Sequence, residues 1–396
     1  SDTISNVSFL PNSCVHGYVV KVINSNDIDI DDMYLKFVAD DGVRGWGHWA
    51  ETIEPGEEES LDAATMPHKL TKQADGSFKY EPVGWNERLI GDDNTNPDPN
   101  FVGEKITCMF FYRNRLGLVA GDKIALSRSN DLFNFFTTTA RTAVDDDPIY
   151  ITTSSGTPAR ITHAVTTQIG VVLYSDTEQF LLTTDSDVLS PSTVRLKTLC
   201  NYDASDDVTP VALGTSHGFI TKTPQTSKFF ELVDINTEQP PILNDTTVNV
   251  PELLPNEIDL IAASADLSLV VFGEKGKRDL YFFRFYNQSR EKRLIQTWFK
   301  WETTGNVLDI FFDRGALFAV TTNGAQVAVQ QFDMSQSNEQ GFLTLTTGEK
   351  TDVCLDMFDS NPHRTYNAAT DKTTIQLPYN HVANNGTFTV IALGGY

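Results

Sequence analysis

The chain has 396 residues, 40% of them hydrophobic and 21% charged, which is the content of a folded protein long enough for two or three domains. Its 53 acidic residues against 30 basic ones give a net charge of −23, which opposes DNA binding by phosphate neutralisation. Apolar runs such as "LVVF" at 269–272 are far too short for a membrane-spanning helix.

Aromatic residues reach 11%, with 25 Phe, and together with many Thr, Val and Ile they favour strands over helices. The residues given open without a basic, apolar leader. The four cysteines, Cys14, Cys108, Cys200 and Cys354, lie far apart with no CxxC pair. A reducing compartment is expected, with Cys108 in the strand-like "KITCMFFY" serving as a small buried hydrophobe.

Residues 1–100 read as a small β domain. "GYVVKV" (17–22) and "MYLKFVA" (33–39) are strand-like, Asp41-Gly42 turns into "VRGWGHW", and Asp75-Gly76 turns into "SFKYEPV". "ESLDAATMPHKL" has room for one helical turn, limited by Pro67. "GDDNTNPDPNFVG" (91–103) follows, rich in Asp, Asn and Pro, and reads as a cation loop, a linker or a rigid joint.

Over 101–335 five segments share one plan of apolar strands separated by short polar turns. Their second strands open at Gly117, Gly170, Gly218, Leu267 and Gly315, in steps of 53, 48, 49 and 48 residues. A repeat of about fifty residues with three or four strands is the signature of propeller blades. Each such sheet has two apolar faces and must stack on neighbours to bury both. Glycine at the turn-to-strand junction is read as a conformational requirement. Five units leave room for a further blade outside this chain. The period stops near 336, and "DVCLDMF", "HRTYNA", "TTIQLPYN" and "TFTVIAL" read as strands of a second small β domain over 336–396 that continues past the residues given.

Candidate chemistry is sparse. Asp27, Asp29 and Asp31 alternate in "NDIDIDD", but a calcium loop counted from Asp27 needs Gly and Glu where Asp32 and Val38 stand. Asp145, Asp146 and Asp147 in "VDDDPIY" are the candidate carboxylates for glycoside hydrolysis, although adjacent acids on an exposed segment point apart. The seven histidines form no metal-binding spacing. "GEKGKR" (273–278) reads as a hairpin between blade strands. Arg113, Arg115 and the cluster "SREKR" (289–293) read as solvated blade edges, and Trp298 and Trp301 as packing between blades. A polysaccharide-binding or -cleaving propeller would have to use these acids and tryptophans. No residue is assigned to catalysis, to a cofactor or to a metal.

Several stretches taken together resemble the tail tubular protein B (tail nozzle) family of short-tailed, podovirus-type phages: "LDAATMPHKL", "GDDNTNPDPNFVG", "FFYRNRLGLVAGDKIALSRSNDLFNFF", "VDDDPI", "SDTEQFLLT" and "TTIQLPYN". The resemblance implies a virion protein assembled in the bacterial cytoplasm, longer than this chain and without an active site. It further implies a β-propeller with smaller β domains and a homo-hexameric tube below the upper tail tubular (adaptor) protein. Tail fibre proteins and the exiting phage DNA would be its other partners, with no small-molecule substrate. On that basis "GDDNTNPDPNFVG" reads as an ordered joint between the first domain and the first repeat, with Pro97 and Pro99 fixing backbone angles.

Overall fold

The computed structural model describes residues 2–23, 32–57, 59–154, 156, 158–236, 239–287, 293–334, 342–344, 350–352 and 364–375. Among these the chain is all-β, with one 3-10 turn at Val7–Phe9 and no α-helix. It divides into two compact units, Ser1–Phe332 and Asp333–Tyr396.

The first unit opens with a five-stranded sheet of β1 (Asp2–Ile4), β2 (Ser13–Val15), β3 (Val19–Val22), β4 (Met33–Ala39) and β5 (Arg44–Thr52), in the order β1-β3-β4-β5-β2. The β4–β5 turn forms because Gly42 takes a left-handed φ of 74° while the Asp41 carboxylate accepts the amides of Val43 and Arg44. Val22, Met33 and Leu35 of this sheet pack with Ile90 and Ala140, so the domain's core draws on residues beyond 100. A separate hairpin pairs β6 (His68–Lys72) with β7 (Phe78–Pro82) around Asp75-Gly76. The expected helical turn ahead of it is a hydrogen-bonded turn at 63–65, closed by the Thr65 amide on the Asp62 carbonyl.

Five antiparallel sheets follow in chain order. Blade 1 holds β8 (Cys108–Tyr112), β9 (Arg115–Ala120), β10 (Lys123–Leu126) and β11 (Ile149–Thr152). Blade 2 holds β12 (Ile161–Thr166), β13 (Val171–Ser175), β14 (Gln179–Thr184) and β15 (Val194–Cys200). Blade 3 holds β16 (Val211–Ala212), β17 (His217–Lys222), β18 (Ser227–Val233) and β19 (Ile242–Asp245). Blade 4 holds β20 (Leu260–Ser264), β21 (Leu269–Gly273), β22 (Asp279–Asn287) and β23 (Arg293–Glu302). Blade 5 holds β24 (Asn306–Asp313), β25 (Ala316–Thr322) and β26 (Val327–Asp333). First strands pack on first strands, β8 on β12, β16 on β20 and β20 on β24, which is the inner-strand arrangement of a propeller.

The two-residue period of a strand explains the stacking. On β13, Val171 and Leu173 join Phe110, Val119 and Ile124 of blade 1 in one apolar cluster. The alternate residues Val172 and Tyr174 join Phe219, Phe230 and Leu232 of blade 3 in another. Ile220 and Phe229 of blade 3 then pack with Val270, Phe272 and Phe283 of blade 4.

The five repeat markers fall within two residues of their second strands, and the expected backbone requirement holds at one of them. Only Gly315, at φ 81°, needs a left-handed backbone. At Gly117 and Gly218 the requirement is space: an added Cβ would lie 2.3 Å from the Phe110 ring and 2.2 Å from the Phe229 ring.

Among its described residues the second unit shows two hairpins, β27 (Phe342–Thr344) with β28 (Lys350–Asp352) and β29 (Arg364–Asn367) with β30 (Lys372–Ile375). The last pair falls on the expected strands "HRTYNA" and "TTIQLPYN", whereas "TFTVIAL" and all but the first residue of "DVCLDMF" lie outside the described residues.

Candidate functional site

The segment 91–103 is an ordered joint whose acids and asparagines bond to the chain itself. Asp92, buried, accepts the amides of Asn94 and Thr95 at 3.0 Å each, and the Thr95 hydroxyl at 3.0 Å. Burial alone would raise its pKa, but these donors outweigh that and hold it below the ordinary aspartate value. Asn96, 2% exposed, donates to the carbonyls of Ile90 and Thr137 and accepts the Thr137 amide. Asn100 reaches the carbonyls of Ile124 and Ile151 in blade 1, and Phe101 packs edge-on against Phe135.

Arg88 closes the joint from below. Its guanidinium is 1% exposed, and it donates to Asp93 at 2.8 Å and to the Asn96 carbonyl at 3.2 Å, with Glu57 at 3.5 Å. A second link to the first domain runs through Glu51, whose carboxylate accepts the Thr139 hydroxyl and the Ala140 amide. The sequence reading found the joint but missed Arg88, an isolated arginine in a stretch without periodicity.

The candidate carboxylates turn out to serve an arginine with their backbone. Arg115 is 1% exposed and donates to the carbonyls of Ser127, Asp147 and Asp145 at 2.8, 2.6 and 2.6 Å, and to Leu189 of blade 2 at 3.1 Å. This overturns its reading as a solvated edge: at the head of β9 its side chain points into the crevice between blades 1 and 2. Burial lowers its pKa, and the charges of Asp146, Asp147 and Asp145 oppose that. Asp145 and Asp146 are exposed; Asp147 is buried, accepts the Val144 amide, and has its pKa raised by that burial. Arg113 likewise donates to a carbonyl of blade 2, that of Asp187 at 2.6 Å.

The tryptophans are on another blade. Trp298 stacks among Phe272 and Phe283 and donates to the Thr246 carbonyl of blade 3. Trp301 lies on the opposite face of β23, against Phe282 and against Phe332 of blade 5. Both therefore pack between blades. "GEKGKR" is the β21–β22 hairpin, and its tip bonds to blade 5 through reciprocal contacts of Gly276 and Lys277 with Val307, each 2.7 Å. Of "SREKR", only Arg293 is described. It pairs with buried Glu231 of blade 3 at 2.7 Å and lies over the Phe283 and Phe285 rings, so it too is no solvated edge. His217 of blade 3 is buried with Nδ1 3.2 Å from the Tyr174 hydroxyl of blade 2, and burial lowers its pKa to about 4.

Burial raises the Cys108 and Cys200 thiols to about 12 each, which leaves them protonated and unreactive. Asp27, Asp29 and Asp31 lie outside the described residues, as does Cys354. Among the described residues no three His, Cys, Asp or Glu side chains converge as metal ligands. The acids of blade 1 and the tryptophans of blade 4 do not form one site.

The described residues form a repeat-built β scaffold whose buried polar groups bind neighbouring blades. A family model described as bacteriophage nozzle protein matches residues 1–395. The chain belongs to the bacteriophage nozzle protein family, a family of structural phage tail proteins. It is 31% identical over 308 residues to tail tubular protein gp12 of Escherichia phage T7, covering 76% of this chain and 37% of that protein. Solved structures align more loosely. Hsv2 of Kluyveromyces marxianus is 8% identical over 79% of this chain and 96% of its own, with a TM-score of 0.38. The β-propeller domain of Cps50 (Swd1) from Myceliophteria thermophila is 12% identical over 71% of this chain and 98% of its own, with a TM-score of 0.30.

Proposed function

We propose that the chain is the propeller-bearing part of a subunit of a hexameric distal tail tube. In this reading the tube attaches below the adaptor ring, helps to dock tail fibres, and retains and conducts DNA during ejection. The observation that carries it is the family match along 1–395, and the net charge of −23 supports it. An acidic wall repels phosphate, so DNA slides instead of adhering, and retention falls to steric closure. The reading keeps three parts, 1–100, 101–335 and 336–396, with the propeller in the middle.

Light scattering on the purified chain, alone and mixed with its phage's adaptor ring, tests the assembly. Sixfold assembly, or sixfold decoration of the ring, is the expected result. A monomer that leaves the ring bare would overturn it for these residues.

A further inference from the structure

A polar cavity of about 300 Å³ lies between blades 3 and 4, at the low end of the size range of small-molecule sites. An ion pair forms its floor. Glu231 of β18 is 1% exposed, and Nη2 of Arg293 lies 2.9 Å from its Oε1 and 2.7 Å from its Oε2. Ser216 donates to the same Oε1 at 2.7 Å, and Arg293 Nε donates to Asn287 at 2.8 Å. Two atoms of the pair stay open: Glu231 Oε2 accepts no hydrogen bond, and Arg293 Nη1 has no partner among the described residues. Asn244 stands directly opposite Glu231 in the β18–β19 register, so its carboxamide lies on the same face beside the carboxylate. The carboxamides of Asn244 and Asn249 are likewise unengaged among the described residues, and Gln296 uses only its nitrogen, on the Thr246 carbonyl at 3.0 Å.

These open groups select a ligand. An anion would face the Glu231 carboxylate and a cation the Arg293 guanidinium, and the pair leaves the floor neutral. An apolar ligand would bury Glu231 Oε2 and Arg293 Nη1 without partners, which costs more than its contacts return. Oε2 needs a donor, Nη1 needs an acceptor, and the carboxamides offer both. A hydroxyl donates and accepts at once, so several hydroxyls on one rigid ring meet the whole set. Val248, 65% exposed, supplies an apolar wall for the ring's C–H face. The remaining acid of the lining, Asp245, is already engaged by the Thr247 amide and hydroxyl. We propose that the cavity binds one neutral sugar residue, with hydroxyls donating to Glu231 Oε2, accepting from Arg293 Nη1 and pairing with Asn244. The site lies within one copy of the chain and stands apart from the tube reading above.

The test uses the purified full chain and saturation-transfer NMR with glucose, galactose and N-acetylglucosamine, each as the free sugar and as its methyl glycoside. Binding of at least one of them is expected. Asn244→Ala, which removes an exposed side chain from the wall, is expected to weaken it about tenfold, the worth of one lost hydrogen-bonding group. Asn249→Trp places a large ring at the cavity and should abolish binding, and both variants should melt with the parent. Retention of the methyl glycoside identifies the end of a glycan chain as the source, and its exclusion identifies a free sugar. Binding of none of these probes overturns the proposal, as does binding that both variants leave intact. Inorganic phosphate or glutamate that binds where the sugars do not, and is lost in the same variants, overturns it too. None of these outcomes touches the tube reading, whose test is sixfold assembly.

Discussion

Asn96 and Thr137 are joined twice: the Asn96 side-chain oxygen accepts the Thr137 amide at 3.0 Å, and its amide nitrogen donates to the Thr137 carbonyl at 3.4 Å. A side chain here does the work of a neighbouring strand, holding the joint to the loop that follows blade 1's third strand. Asn96→Asp removes the donor and sets a carboxylate against the carbonyls of Ile90 and Thr137. The expected loss is about 2–3 kcal/mol, the usual penalty for a buried polar mismatch. Thermal unfolding should show it, together with new protease cleavage within 91–103; an unchanged cleavage pattern would mean that the joint does not depend on this contact.

Arg115 tests whether the crevice between blades 1 and 2 needs its guanidinium or only a positive charge. Arg115→Lys keeps the charge but cannot reach carbonyls on two blades at once. A loss of roughly 3 kcal/mol is expected, close to that of removing a buried charged partner outright. Denaturant titration of Arg115→Lys and Arg115→Met should give similar midpoints. Full stability in the lysine variant would refute the geometric role.

Acid should weaken the contact between blades 2 and 3. His217 has its pKa lowered to about 4 by burial, so between that value and the ordinary 6.5 the unfolded chain binds a proton that the folded one does not. Stability from this residue is therefore full above pH 6.5 and falls as pH drops towards 4, by up to about 3 kcal/mol. His163, also lowered by burial, acts in the same direction. Melting curves between pH 7 and 4 on the parent and on His217→Gln should show a shallower slope in the variant.

Gly117→Ala introduces a methyl group where the Phe110 ring already lies 2.3 Å away. Displacing that ring from the core shared by blades 1 and 2 should cost about 1–3 kcal/mol. Gly121→Ala gives the comparison: an added Cβ there has open space and the strain comes only from φ 62°. The double variant Gly117→Ala with Phe110→Leu should recover part of the loss if the ring is the cause, and none if it is not.

The blades were legible because a strand with two apolar faces leaves a plain mark, the unbroken run of "GVVLYS" or "LVVFG", repeated at a fixed step. Pro97, Pro99 and the Asp/Asn content marked 91–103 but left it open as a cation loop, a linker or a joint, and the family resemblance selected the joint. What escaped were the links between elements far apart in sequence. Arg115 looked solvated because its partners are carbonyls 12 to 74 residues away, and a carbonyl has no sequence signature. Arg293 looked like one more member of a basic run because Glu231, its partner, sits 62 residues earlier inside the apolar "SKFFELV". The glycine markers were located correctly, and the conformational reason holds at Gly315; the crowding at Gly117 and Gly218 escaped, since a ring lying over a glycine is visible only in three dimensions.

The choice of carbonyls as Arg115's ligands has a further result. A carboxylate partner can be neutralised by acid or shielded by brine; an amide oxygen has neither vulnerability. The acceptors that Arg115 uses across the first two blades persist in acid and in brine, whereas the contact through His217 weakens in acid.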